Sequence, residues 1–578
     1  MDSAPYSPPP EDMPVSPPAE DPARLGFTRR RMTRWFDFRQ LTRTGIQTVV
    51  SDLFGSYADR RELQACLSDP VTFQCKEAEQ EELWIDYVSD LGDGFNPTYA
   101  LAYLLGHETL TVGGHDTRRG DVLVMGGDQV YPTPQADAYN DRLVGPFRAA
   151  RSYIPEGKAP KLYAIPGNHD WYDGLGAFLK QFCQQRWIGG WKTEQKRSYF
   201  AVKLAHGWWL WGIDIQLSAD IDQPQLDYFR WVAREEAHRG DRVILCTSEP
   251  AWVYAQYKKS DRPLKNLEYF CRECIEHEAF GLRRVVTLTG DLHHYVSYTN
   301  EDQSEWMITA GGGGAFMHPT HHVPKRAVVA DAHDKQATRA FTQRQCYPNA
   351  SQSRGQAWKN LLFPVYNPSF AGLMAVVYLL FAWALRTESQ LAILGLMLLV
   401  GAGIFAFADT SMKRAGGMQV MGALHGLAQA SLMYIAARTI SDELVRALEI
   451  EGLPLGPWAI ALGVGVLGGG LSATLMGLYL LCCTLLLGSH ETEAYSSFRG
   501  QDFKNFLRLH LTADGLTIYP VGIRRVPRRW TYQAHAAHGA PWYQPAEPLT
   551  PDLIEPPIHI PTSLVSKSHL HETISESA

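Results

Sequence analysis

Leu162-Tyr163-Ala164-Ile165-Pro166-Gly167-Asn168-His169-Asp170 is the stretch on which the reading of this chain turns. A short β-rich run halts at Pro-Gly and is followed at once by a carboxamide, an imidazole and a carboxylate. Working outward, three more β-rich runs end the same way: Ile85 to Val88 before Asp90-Leu91-Gly92-Asp93-Gly94, Val122 to Met125 before Gly126-Gly127-Asp128, and Val285 to Thr289 before Gly290-Asp291-Leu292-His293-His294. Adjacent strands that end on one sheet edge bring such residues within a few ångströms of each other, and glycine lets the backbone turn away sharply. Several acids in one crevice repel each other unless cations lie among them. Oxygen donors with imidazole suit hard or borderline divalent ions.

Between about Gln80 and Ala310 the runs alternate with helix-like stretches such as Asp137–Arg151 and Gln223–Arg239, which predicts an α/β or α+β domain with a two-sheet core and helices outside. The 578 residues exceed what one core holds. A net charge of −7 gives no basic field for nucleic acid, and no nucleic-acid partner is expected. The nine cysteines show no secreted-type pairing; Cys271 and Cys274 read as one helix face, with no second pair to complete a zinc site.

The order and spacing of the motifs resemble the calcineurin-like metallophosphoesterase superfamily, whose members include purple acid phosphatases. The resemblance runs from about Leu83 to Gly314 and implies a metallophosphoesterase β-sandwich flanked by helices, two divalent metal ions and hydrolysis of phosphate mono- or diesters by a metal-bound hydroxide. It implies that Asp128 bridges two metals, that Asp90 and His293 bind the first and Asn168 the second, and that His169 contacts the phosphoryl oxygen or protonates the leaving group while Asp170 orients it. Three imidazoles of the family pattern are missing. Gly92 and Asp291 stand where histidines are expected, and Cys246-Thr247-Ser248-Glu249-Pro250 stands for the lone-histidine motif. Either Asp93, Asp291 and Glu249 or Ser248 substitute, giving a carboxylate-rich site that prefers Mn²⁺, Mg²⁺ or Fe to Zn²⁺, or one metal position is lost and the chain is a weak or inactive sensor or scaffold. His318, His321 and His322 are candidates for replacement ligands or substrate contacts, and Asp214 for a supporting role.

Apolar residues concentrate between about Phe370 and Gly488. Candidate membrane spans are Phe370–Leu385, Leu391–Ala408, Val420–Ala437 and Pro457–Gly488, the last interrupted by Gly468-Gly469-Gly470 and readable as one long helix or two short ones. His425 and Gln429 share a face of the third and predict an interhelical hydrogen bond. With no signal peptide ahead of it, the large domain is expected in the cytoplasm of an integral cell-membrane protein. Lys413, Arg414 and the later Arg524, Arg525, Arg528 and Arg529 then fall inside with four spans; five would put the last cluster outside. The bilayer and a phosphate ester, membrane-associated or cytosolic, are the expected partners. The chain divides into a disordered Pro-rich segment 1–26, a catalytic domain 27–360, the spans 366–488, a hairpin element 489–530 expected to dock on the catalytic domain, and an irregular tail 531–578. Beside the sensor or scaffold, a transporter with a regulatory soluble domain is the second rival reading. The basic, aromatic run Arg29 to Phe36 could touch anionic headgroups.

Overall fold

The structure, a computed structural model, describes residues 21–37, 71–74, 82–153, 159–215, 221–330, 337–408, 413, 415–448 and 456–562. Residues 1–20, most of the segment read as disordered, lie outside the described residues, as do Arg414 and 563–578.

Strands β1 (Glu82–Val88), β2 (Val122–Met125) and β3 (Lys161–Ala164) are parallel, with Val88 opposite Met125 and Met125 opposite Ala164. Strands β4 (Trp208–Gly212), β5 (Arg242–Cys246), β6 (Arg283–Thr289) and β7 (Trp306–Ala310) are parallel in a second sheet, where Gly212 faces Cys246, Cys246 faces Leu288 and Leu288 faces Ile308. Parallel strands need both faces covered, which explains their near-continuous apolar sequences. Alternate residues of β1 and β2 serve two cores. Leu83, Ile85, Tyr87, Val122 and Val124 pack between the sheets against Phe200, Leu210, Ile244 and Leu288, while Val88, Leu123 and Met125 pack against outer helices.

The chain returns to this domain after the helical region. Strands β8 (Lys504–Thr512) and β9 (Gly515–Ile523) form a hairpin, and β8 pairs antiparallel with β1, Leu507 opposite Tyr87. Fully buried Arg508 of β8 bonds Asp86 of β1 at 3.0 Å. The segment read as an irregular tail is ordered in part: Trp530–Tyr532 pairs with Tyr543–Pro545, and Pro551–Leu553 and Ile558–Pro561 pair with β9. The open edge of β9 supplies unpaired backbone groups, and Trp542, Ile558 and Ile560 supply the buried side chains. At the other terminus, residues 22–25 form one helical turn and Leu25 and Phe27 are buried, so order begins before residue 27. The run that follows is a strap over the domain: Arg30 pairs with Asp141 at 2.7 Å, and Phe36 packs edge-on against Phe363 at 4.9 Å.

The C-terminal region is helical. Helices α1 (Pro368–Arg386), α2 (Gln390–Ala406), α3 (Ala415–Leu448) and α4 (Gly456–Cys482) run up and down, and α4 continues as a π-helical turn, Cys483–Leu487. Among the described residues, three segments, Pro368–Arg386, Gly416–Ala447 and Gly456–Leu487, are long and apolar enough to cross a membrane; Gln390–Ala406 is apolar but shorter. α4 passes through the glycine triplet as one helix. A Cβ on Gly469 would come within 2.5 Å of the Ala371 carbonyl oxygen, so the triplet lets α1 and α4 approach closely. Gln429 of α3 bonds across to Ser472 of α4 at 2.8 Å.

Candidate metal centre

The carboxyl ends of both parallel sets point to one edge of the sandwich. From the first sheet come Asp90, Asp128 and Asn168; from the second, Glu249, Asp291 and His293, followed by the 311–318 loop. Asp90, Asp128 and Asp291 sit at φ 58°, 49° and 64°, in the left-handed region. Non-glycine residues are uncommon there, and aspartate is among the few that tolerate it. Such backbone costs on the order of 1–3 kcal/mol per residue, and three adjoining cases mark a site whose geometry the rest of the fold enforces. The sheets meet through Asp291, whose N–H donates to both carboxylate oxygens of Asp90 at 3.2 and 3.0 Å. A Cβ on Gly290 would lie 2.5 Å from an Asp90 oxygen, so only glycine fits this crossing.

The Tyr131 hydroxyl, three residues beyond Asp128, is the focus of the cluster. It lies 3.0 Å from Asp90 Oδ1, from Asp128 Oδ2 and from His293 Nε2. His293 Nδ1 donates to the Phe316 carbonyl at 2.7 Å, so Nε2 holds a lone pair. One phenolic proton therefore faces three acceptors. Burial first, then the neighbouring carboxylates, raises Asp90 well above the usual carboxylate range and Asp128 to about 8. Burial, then His318 and Lys504, lowers His293 well below the usual imidazole range.

Asn168 and Glu249 line the same cavity, and Asn168 Oδ1 and Glu249 Oε1 are buried without a hydrogen-bond partner. Burial and then Asp291 push Glu249 up to about 7. Among the described residues no group of three or more His, Cys, Asp or Glu side chains is gathered as a ready cage for a metal ion. The convergence point is instead taken by a phenol. The donor chemistry nonetheless fits a hard divalent cation: carboxylates that repel, a phenol, an imidazole lone pair and two orphaned oxygens around one hollow.

Asp93, expected as a ligand, is engaged elsewhere. It accepts the Thr33 N–H at 2.8 Å and lies 4.0 Å from Arg142, because the turn after Gly92 carries it toward the N-terminal strap. Asp170 bonds Gly167 N–H at 2.8 Å, Gln129 N–H and the Tyr139 hydroxyl, bracing two strand-end turns; the His169 ring is oriented by the Pro132 carbonyl, which accepts from Nδ1 at 2.9 Å. His169 lines the cavity and its backbone N–H donates to Asp128 at 2.9 Å. His318 stacks on His293 at 4.0 Å; its Nδ1 accepts the His293 N–H, and its Nε2 is buried and unpartnered. His321 and His322 reach the Thr484 carbonyl at 3.1 and 2.8 Å, which ties the loop to the end of the α4 helix. Asp214 accepts the Trp171 indole N–H at 3.0 Å. Sequence reasoning passed over Tyr131, whose only signal was a spacing of three from Asp128 within one turn. It also passed over Lys504, whose ammonium donates to the Ala315 carbonyl in the glycine loop and is pushed down to about 7 by burial.

The model of the calcineurin-like phosphoesterase family matches residues 83–295, the segment that holds every strand-end group above. That segment is a calcineurin-like phosphoesterase domain. A purple acid phosphatase from yellow lupin (Lupinus luteus) seeds is similar at 10% identity and a TM-score of 0.31, over 46% of this chain and 54% of that one, so the chain spans about half the length of the solved structure it matches. No curated protein matches the chain.

Proposed function

We propose that this chain is a membrane-anchored, metal-dependent phosphoesterase that hydrolyses phosphate mono- or diesters at the strand-end cluster. The observation that supports this most strongly is the convergence of Asp90, Asp128 and His293 on one Tyr131 hydroxyl, 3.0 Å from each. Buried acceptors in that arrangement are short of positive charge, and a cation supplies it. Asp90, Asp128, Tyr131 and His293, with Asn168, Asp291 and Glu249, are the residues that would hold divalent ions; a set so rich in carboxylate favours Mn²⁺, Mg²⁺ or Fe over Zn²⁺. Ions bound there would make a water acidic enough to attack at neutral pH and offset phosphoryl charge.

The chain's own groups supply the rest. In hydrolysis the water oxygen bonds to phosphorus, the bond from phosphorus to the leaving oxygen breaks, and a proton reaches that oxygen. His169 keeps Nδ1 on the Pro132 carbonyl, so it gives a proton from Nε2 only as imidazolium. Burial opposes that charge, and an arriving phosphate anion favours it. His318, protonated on Nε2 by the same tautomer logic, is an unused donor for a phosphoryl oxygen. Lys413 beside the domain and Arg524, Arg525, Arg528 and Arg529 after the helices support a cytoplasmic face.

A second reading, a sensor or scaffold of the same fold, draws on the Tyr131 phenol standing at the point where Asp90, Asp128 and His293 converge. Purified protein assayed with Mn²⁺ on bis-p-nitrophenyl phosphate and p-nitrophenyl phosphate, beside Asp128→Asn, separates the two. Turnover that Asp128→Asn lowers at least ~10³-fold, about 4 kcal/mol of transition-state stabilisation, is the expected result. Equal background rates would leave only the sensor.

A further inference from the structure

The cavity above the cluster measures about 1180 Å³, beyond the roughly 300–1,000 Å³ usual for small-molecule sites. Its floor is Asp128, Asn168, His169, Asp291, His293 and His318, and its opposite wall comes from the helical region: Phe407 just after α2, Met418 in the first turn of α3, and Leu487 closing the π-helical turn after α4. On those same helix ends, Phe405, Val420 and Leu486 face outward, 44%, 60% and 74% exposed. Phe407, Met418 and Leu487 thus make an apolar stretch of the cavity wall, beside Glu491 and Glu493, on helix ends whose neighbouring residues face the outer surface of helices apolar enough to cross a membrane. Trp35 and Phe316 extend the apolar lining on the domain side, and Lys258 and Lys413 lie at its edge. A cavity for a small hydrophilic ester has no use for a wall built from the ends of such helices.

Building on the phosphoesterase reading above, we propose that the substrate is a phosphate ester of a membrane lipid, held with its phosphate on the strand-end cluster and its hydrocarbon chains along Phe407, Met418 and Leu487 into the bilayer leaflet. Water adds to phosphorus, the bond from phosphorus to the lipid oxygen breaks, and that oxygen takes the proton, releasing a lipid alcohol and phosphate from a monoester. The helix ends then act as a ramp, and only the headgroup leaves the bilayer.

The test uses the full chain in nanodiscs with Mn²⁺. Dioleoyl phosphatidic acid, dioctanoyl phosphatidic acid and glycerol 3-phosphate form a chain-length series, with bis-p-nitrophenyl phosphate as a soluble reference. The expected result is a kcat/KM at least ~10-fold higher for dioleoyl phosphatidic acid than for glycerol 3-phosphate, and a ratio that Met418→Glu lowers at least ~10-fold. Turnover of the soluble esters with no chain-length preference would overturn the lipid inference and leave the phosphoesterase reading intact. Absence of turnover on every ester would overturn that reading, and a second measurement then decides the lipid inference alone. A diazirine-tagged long-chain phosphatidic acid should label peptides containing Phe407, Met418 or Leu487. Labels confined to the outward faces of the helices, around Leu394, Leu427 and Leu462, would contradict it.

Discussion

At the start of β6, Arg284 is buried among three acids. It lies 3.2 Å from Glu268, 3.5 Å from Glu276 and 3.1 Å from Glu305, and Arg339 adds a contact to Glu305 at 2.8 Å. Just past the end of the same strand, the Asp291 N–H bonds Asp90, which meets Asp128 at the Tyr131 hydroxyl, while the Asp291 carboxylate accepts from the Tyr254 hydroxyl; no arginine enters that cluster among the described contacts. Both clusters are largely buried, although Asp128, Asp291 and His293 also line the cavity. One carries its own counter-cations on the chain, and the other has protons and N–H groups. A buried charge needs a partner of opposite sign. The structural end of β6 is therefore electrostatically closed, and the site end is open to cations from outside.

The contrast predicts opposite responses to removing one charge. Arg284→Met should destabilise the fold by about 3–5 kcal/mol, because it strands three acids, and denaturant unfolding of the variant would measure it. Asp90→Asn should do the reverse in protein stripped of divalent ions. It relieves repulsion within the cluster and should raise stability by about 1–2 kcal/mol, while abolishing any gain from added Mn²⁺. A destabilised, metal-stripped Asp90→Asn variant would mean that the two ends of β6 are balanced alike.

A further, pH-dependent effect concerns Lys504, the buried lysine that bonds the glycine loop beside the open cluster. Its folded value of about 7 lies below the roughly 10.4 of a free lysine, so the unfolded chain binds more protons between those limits. This contribution to stability is full above about pH 10 and falls away as the pH drops toward 7. Lys504→Met lacks that dependence. Its melting temperature relative to the wild type should climb as pH is lowered from 10 to 7 and level off below. A constant offset would show that Lys504 stays charged in the fold.

Much of this could be read from residues in a line. Gly167-Asn168-His169-Asp170 announces a strand end with ligand-type side chains, and a period-two apolar pattern places Leu507 and Leu509 on one face of a hairpin strand. The phosphoesterase segment and the apolar helices were legible for that reason. Other features depended on neighbours distant in sequence. Gly92-Asp93-Gly94 reads as a ligand turn, but which way Asp93 faces is settled by Thr33, sixty positions earlier, and by Arg142. Asp170 looked like the partner of His169, yet Gln129 and Tyr139 claim it. The strands in 551–561 carry prolines and a histidine that hide their alternation, and they form because β9 offers an open edge.

The central claim is that the strand-end cluster is completed by cations from outside the chain. Titrating the metal-stripped, full-length protein with Mn²⁺, while counting bound ions by electron paramagnetic resonance, addresses it directly. A pair of ions per molecule in the wild type, and none in an Asp90→Asn, Asp128→Asn double variant, is the predicted result. Wild-type protein that binds no more Mn²⁺ than the double variant would contradict it and leave the Tyr131 phenol as the cluster's permanent occupant.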